Sequence, residues 1–337
     1  MTIQNIHHLV IESTSYCNAR CPHCPRFTET GFVNPDMPLA HLTMDALTDK
    51  FSLQQLEKLR TVSFEGDRGD PLMNPHIVDL VKFFSKYTLV SVITNGSIRN
   101  PKWWAEFAKI PNVNVVFSID GLKDTNHIYR VGLDFNDIMA NAQAFLNAGG
   151  RAVWKCIMFG HNEHQIADIV ELSKNMGFAE TRIRTAIEER FNGLNSWPVR
   201  IDGKYSHKLH KAKNPKEETY KHKHSFMKRS GEWLPPTEPN QVQCPWIKEN
   251  RLYINYLGQV MPCCMMYAET LHTVTNYPGV DKFNELVGGN FDDISLYHHT
   301  FDEILQTPFY VNRLEESLAS EETRHLVCRA NCNSQLT

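Results

Sequence analysis

Three cysteines within eight residues, Cys17-x3-Cys21-x2-Cys24, are the residues of this chain best suited to chemistry. Pro22 and Pro25 keep the run out of a regular helix, so a loop can fold its thiolates around one inorganic centre. Three thiolates suit a [4Fe–4S] cluster in which three irons are held by protein and the fourth is open to an exogenous chelate. Zinc is the competing centre, but a structural zinc site wants four closed ligands, and His23 or His41 would have to supply the fourth.

The chain holds nine cysteines, and five of the others lie in its last third: Cys244, Cys263, Cys264, Cys328 and Cys332. An odd count without a secretory leader fits poorly with a disulfide framework. Two separated groups point instead to two metal centres. Cys156 stands alone in an apolar, strand-like run and reads as a small buried hydrophobe.

The elements that must position these residues follow from periodicity. Strands are expected at His8–Glu12, Thr61–Phe64, Leu89–Thr94, Val113–Ile119, Ala152–Met158 and Thr181–Arg184. Helical patterns fall between them, near Met44–Leu59, Pro75–Phe84, Lys102–Lys109, Phe135–Ala148 and Glu163–Met176. Such alternation predicts parallel β/α units of an α/β fold, and six strands suit a partial (β/α)6 barrel better than a closed eight-stranded one. Chemistry should gather at the C-terminal ends of the strands, where the three-cysteine loop begins. Residues 187–240 break the pattern, with several Pro and Gly and a Lys/His-rich stretch at Lys204–Arg229. An irregular linker is the plainer reading, and a lid or a surface for an acidic partner the sharper one.

The 337 residues carry a formal net charge of -3, which singles out no polyanionic or polycationic partner. Met1–Val10 lacks the pattern of a secretory signal, and no run approaches the roughly 20 apolar residues of a membrane-spanning helix. A cytoplasmic protein is expected.

Downstream residues bring a family resemblance. Glu65-Gly66-Asp67-Arg68-Gly69-Asp70-Pro71-Leu72 follows the second strand, Thr94-Asn95-Gly96 ends the third and Ser118-Ile119-Asp120-Gly121 the fourth. Tyr129-Arg130 and Asn162-Glu163 come later, and Arg184 ends the sixth strand. With the cysteine triad, this order resembles the radical S-adenosylmethionine (SAM) superfamily. The resemblance implies reductive cleavage of SAM to a 5′-deoxyadenosyl radical that takes hydrogen from a substrate. It implies SAM contacts at Gly66, Gly69, Asp70, Thr94, Asn95, Ser118, Asp120, Asn162 and Arg184, with Asp70 standing where the family has Glu. Asn162 also reads as a plain helix N-cap. An electron donor such as flavodoxin or ferredoxin is the partner expected.

Thirteen residues separate Cys244 from Gly258, and four more separate Gly258 from Cys263. That spacing is similar to the start of the auxiliary-cluster domains called SPASM and, when shortened, twitch. Arg251–Asn255 reads as a strand and Leu257–Gly258–Gln259 as a turn. The resemblance implies one auxiliary [4Fe–4S] cluster on Cys244, Cys263, Cys328 and Cys332, with structural zinc the alternative. Cys264 is the spare thiol, since neighbouring side chains of extended backbone point opposite ways.

The domain organisation expected is thus 1–186 for the barrel, 187–240 for an irregular basic linker or lid, and 241–337 for the auxiliary-cluster domain. Net oxidation or crosslinking of a small molecule or peptide, with the second cluster taking an electron, is the expected reaction. A redox-neutral radical reaction, and a zinc- or cluster-bearing protein without turnover, are the alternatives. Asp67, Arg68 and Glu188 are candidate bases by position alone. The first strand begins almost at once, which favours a small molecule or a substrate delivered by a partner. The basic Lys204–Arg229 stretch leaves a phosphate, nucleotide or acidic peptide open, and nucleic acid only through it.

Overall fold

A computed structural model describes residues 5–186, 191, 193–222, 244–266, 279–319, 323–325 and 328. Within them a nine-stranded sheet runs through the molecule. Its first six strands in sequence are β1 (His8–Ile11), β2 (Thr61–Phe64), β3 (Leu89–Thr94), β4 (Val113–Ser118), β5 (Arg151–Met158) and β6 (Glu180–Thr185). Each pairs in parallel with the next. Helices α1 (Leu53–Lys58), α2 (Ile77–Ser85), α3 (Pro101–Phe107), α4 (Asn126–Tyr129), α5 (Phe135–Asn147) and α6 (Ile166–Met176) lie between them. This is the expected parallel β/α layout. Both faces of such a sheet need cover, and the strands are accordingly rich in Val, Ile and Phe. Trp104 of α3 packs edge-on to Phe145 of α5 at 5.8 Å and against Phe117 of β4 at 5.0 Å, all three buried.

The helix expected over Met44–Leu59 is divided. A single 3-10 turn at Met44–Ala46 ends before Asp49, whose φ of 59° is left-handed and stops helical hydrogen bonding. Ser52 then starts α1 afresh, its hydroxyl accepting from the Gln55 amide at 3.3 Å.

The segment 187–240 is not irregular throughout. Strands β7 (Ser196–Ile201) and β8 (Lys204–His210) form an antiparallel hairpin, and β9 (Glu218–Lys221) adds antiparallel to β6. Asp202 and Gly203 turn the hairpin with φ of 48° and 79°, the left-handed pair that a two-residue hairpin loop favours. Residues 223–240 of the expected linker lie outside the described residues.

Helix α7 (Pro245–Lys248) leads into β10 (Arg251–Ile254), which turns into β11 (Val260–Met261). Gly258 has φ 75° in the turn expected at Leu257–Gly258–Gln259. Strand β10 pairs in parallel with β1, Tyr253 opposite Val10 and Ile254 opposite Ile11. The expected C-terminal domain therefore shares its first hairpin with the barrel's sheet. Among the described residues no helix is long and apolar enough to cross a membrane.

Candidate active site

The cysteine loop leaves the C-terminal end of β1 and is tied down on several sides. The Arg20 amide donates to Val131 O at 2.9 Å, and Tyr16 O accepts from the Asp70 amide at 2.8 Å. Between Cys21 and Cys24 the chain makes a tight turn, with the Cys24 amide donating to Cys21 O at 3.2 Å. Pro22 presets the first corner, and His23 takes the left-handed second corner with φ 64°. Packing edge-on to Phe191 and Trp197 holds the His23 ring. His41, the other candidate for a fourth zinc ligand, bonds Thr14 Oγ1 through Nδ1 at 2.8 Å and stacks on Tyr16.

Each sulfur meets a segment that follows a different strand. Asn95, after β3, points Nδ2 at Cys17 Sγ, 3.9 Å away. Arg130, after β4, points Nη1 at Cys21 Sγ from 3.7 Å. Cys24 Sγ faces the carbonyl of Asp67, after β2, at 3.8 Å. Burial, with the nearby Asp70 carboxylate, pushes the Cys17 thiol up to about 12, and burial also raises Cys21. Such thiols ionise only beside a strong positive charge, which metal coordination supplies. Among the described residues no three His, Cys, Asp or Glu side chains converge as they would around a single ion. Three soft thiols on one loop, each with its own polar neighbour, fit a multi-iron cluster, whose ligands bond separate irons.

The expected SAM contacts fall at the same strand ends, but several are already engaged with protein. Both Asp70 oxygens are occupied: Oδ1 accepts from the Leu72 amide and Thr94 Oγ1, Oδ2 from the Asn95 amide and Thr94 Oγ1, at 2.7–3.0 Å. A carboxylate has about four acceptor positions, so the side chain here welds two loops together. Asp120 is likewise spoken for, accepting from Ile157 N at 2.6 Å and Arg130 Nε at 2.5 Å. Asn162 is buried, and its amide donates to Asp120 O and Ile157 O while its oxygen accepts from Phe159 N. It makes no side-chain cap, because the ends of β4 and β5 claim all its hydrogen-bonding groups. Ser118 ends β4, almost buried, and Arg184 donates to the Ile183 carbonyl at 2.9 Å at the end of β6.

Gly66 and Gly69 have a steric reason to be glycine. A Cβ on Gly66 would lie 1.5 Å from Gly69 O, and one on Gly69 would lie 1.9 Å from Thr14 O. The segment is folded on itself and pressed against the cysteine loop. Of the three candidate bases, Asp67 is an exposed carboxylate. Arg68 is buried beside Glu12 at 4.0 Å, and a guanidinium stays protonated, so it is no base. Glu188 lies outside the described residues.

Sequence reasoning missed the contact of Arg130 with Cys21 and a buried acid, Glu12. The latter is fully buried, and burial, with Asp67 nearby, raises its pKa to about 7. A charged residue beside the last apolar position of β1 was the available signal.

The hairpin β7–β8 leans over the cysteine loop, with the Gly203 amide donating to Thr30 O at 3.0 Å and Arg20 paired with Asp202 at 2.5 Å. A cleft of about 370 Å³ opens between them, lined by Cys21, His23, Cys24, Phe27, Trp197 and Val199 among others.

At the second group, Cys244 precedes α7, and Cys263 lies just past β11, buried, its sulfur accepting from the Met266 amide at 3.4 Å. Cys328 is buried as well. The adjacent cysteines differ in surroundings. Tyr310 is the ring near Cys263, whereas Cys264 lies near Asp67 and Glu65 of the barrel. Cys332 lies outside the described residues.

Residues 11–173 match the family model of the Radical SAM superfamily, and residues 244–333 match that of SPASM, an iron–sulfur cluster-binding domain. No curated protein matches. Among solved structures the chain is similar to Streptococcus suis SuiB bound to S-adenosylmethionine, with 15% identity and a TM-score of 0.53, covering 78% of this chain and 61% of that one. SuiB bound to precursor peptide SuiA matches at 14% identity and a TM-score of 0.54, covering 91% and 66%. The chain thus spans less than two thirds of SuiB's length in these matches. It also resembles anSMEcpe with bound AdoMet and Cp18Cys peptide, at 15% identity and a TM-score of 0.50, covering 93% and 82%. At these identities the likeness is one of fold. A SAM-binding [4Fe–4S] cluster and auxiliary iron–sulfur binding go with the two matched domains. The chain belongs to the radical SAM superfamily, and its C-terminal part is a SPASM iron–sulfur domain.

Proposed function

We propose that this protein uses SAM to generate a 5′-deoxyadenosyl radical and carries out a net oxidation of a peptide or small-molecule substrate. The observation that carries the reading is the triad itself: three thiols of one loop, each facing a segment that follows a different parallel strand. When bound there by Cys17, Cys21 and Cys24, a [4Fe–4S] cluster supplies the electron that cleaves SAM, while a second cluster on Cys244, Cys263, Cys328 and Cys332 supplies an acceptor for the electron left on substrate.

The chain's own residues bind, orient and shield. The folded segment Gly66–Gly69 offers its backbone carbonyls to the amino group of SAM, with Asp70 and Thr94 holding it in place. Ser118, Asn95 and Arg184 line the remaining strand ends, and Asp120 and Asn162 fix the ends of β4 and β5 beneath the cofactor. The hairpin β7–β8 walls one side of the cleft over the cysteine loop. Asp67 takes the proton that leaves as the substrate radical loses its electron. A soluble one-electron carrier of the flavodoxin or ferredoxin kind supplies reducing equivalents. A peptide substrate gains support from the bound SuiA and Cp18Cys peptides of the structural neighbours. A redox-neutral radical reaction, in which the auxiliary cluster takes no electron from substrate, is the second reading.

The test is product analysis with deuterated substrate after anaerobic reconstitution. Deuterium in 5′-deoxyadenosine and a product lighter than the monodeuterated substrate by the mass of one deuterium and one hydrogen support oxidation, whereas an isomer of unchanged mass, or deuterium returned to product, contradicts it.

A further inference from the structure

Glu12 and Tyr253 lie 241 positions apart in the sequence, yet their side chains meet at 2.6 Å, with the Tyr253 hydroxyl donating to Glu12 Oε2. The contact exists because β10 pairs in parallel with β1 and carries Tyr253 alongside the end of that strand. Glu12 Oε1 turns the other way and accepts from the backbone amides of Arg68 and of Gly69, the latter at 3.3 Å. The Arg68 guanidinium stands 4.0 Å from Oε2 and Asp67 also faces the group, so the carboxylate sits among one cation, one anion and three N–H or O–H donors.

The two amides belong to the segment offered above to the amino group of SAM. That segment has no slack, since Gly66 and Gly69 pack on neighbouring carbonyls. Its carbonyl directions are therefore set by where its amides are held. We infer that Glu12 and Tyr253 are positioning residues for SAM, through which the hairpin of the C-terminal domain completes the cofactor site of the barrel. The inference rests on the proposed placement of SAM against Gly66–Gly69.

Removing the Tyr253 hydroxyl leaves a buried carboxylate one donor short, and the carboxylate and its two amides must readjust together. Neither residue is itself an expected cluster ligand, so the variants are expected to load iron as the wild type does. Glu12→Gln keeps an acceptor for the amides but removes the charge. Glu12→Ala removes both.

The test uses the full-length, anaerobically reconstituted protein. Iron per chain, thermal midpoint, SAM dissociation constant and the SAM-induced change in the EPR spectrum of the reduced cluster are measured for wild type, Tyr253→Phe, Glu12→Gln and Glu12→Ala. Tyr220→Phe on the β9 edge is the control. Tyr253→Phe is expected to keep its iron and bind SAM about tenfold more weakly, equivalent to one lost charge-assisted hydrogen bond. Glu12→Ala should bind more weakly still, with partial recovery in Glu12→Gln. Unchanged SAM affinity in both Tyr253→Phe and Glu12→Gln overturns the inference, as does parallel loss of iron and SAM binding, which marks a merely structural role. Wild type that loads iron but binds no SAM overturns the underlying placement as well.

Discussion

The guanidinium of Arg130 places Nη1 3.7 Å from the sulfur of Cys21. On its other edge Nε donates to Asp120 at 2.5 Å, which fixes the plane of the group. Burial works against the charge, but Asp120 and Cys21 more than offset it and hold Arg130 protonated. A fixed cation beside a cluster thiolate favours the reduced, more negative cluster. Arg130→Gln is therefore expected to lower the potential of the SAM-binding cluster by about 60 mV, one tenfold step for a one-electron couple. Arg130→Lys should fall between, since it keeps charge but not the fork. An EPR-monitored redox titration reads both.

Asp70→Asn should destabilise the fold rather than spare it. All the groups around Asp70 are donors, so whichever oxygen becomes an amide nitrogen faces the Leu72 or Asn95 N–H. A cost of about 1–3 kcal/mol is expected for the group left without its acceptor. Urea denaturation of the apo-protein measures it, and an unchanged midpoint would contradict the welding role.

Glu12 makes stability depend on pH. Burial raises its pKa above the value of an unfolded chain, to about 7. The folded state then holds a proton that the unfolded state has lost, so this contribution is full below the unfolded pKa and disappears as pH rises through about 7. The thermal midpoint of wild type should therefore fall between pH 6 and 8 by more than that of Glu12→Gln, on the order of a few degrees. Parallel pH profiles of the two proteins would count against it.

Much of this layout is legible in the sequence, because it rests on local signals. The runs Thr61–Phe64 and Leu89–Thr94 alternate apolar residues between turn signals, and they are strands with those bounds. The hairpin at Asp202-Gly203 was hidden by Pro198 and by Lys and His on its outer face, although Asp-Gly is itself a hairpin signal. The pairing of β10 with β1 leaves no local trace. Neither does the Glu12–Tyr253 contact, which depends on that pairing. The backbone bonds made by the Asp70 and Asn162 side chains are illegible for a similar reason. Motif position fixes which strand end a residue occupies but not which backbone groups have already claimed it.

The two cysteine groups should separate on mutation. Cys17→Ala, Cys21→Ala and Cys24→Ala are each expected to abolish SAM cleavage. Cys328→Ala should lower iron by about four per chain and spare part of the cleavage, since a four-iron cluster is lost. Iron analysis and chromatography of 5′-deoxyadenosine distinguish the cases, and full cleavage in Cys17→Ala would exclude the triad.

The most direct measurement is release of 5′-deoxyadenosine from SAM by the reconstituted wild-type protein with dithionite under anaerobic conditions. About eight irons per chain, for two four-iron clusters, and 5′-deoxyadenosine formation that depends on Cys17, Cys21 and Cys24 are the expected result. A protein that binds zinc instead, or that holds iron yet leaves SAM intact, would contradict the reading at its root.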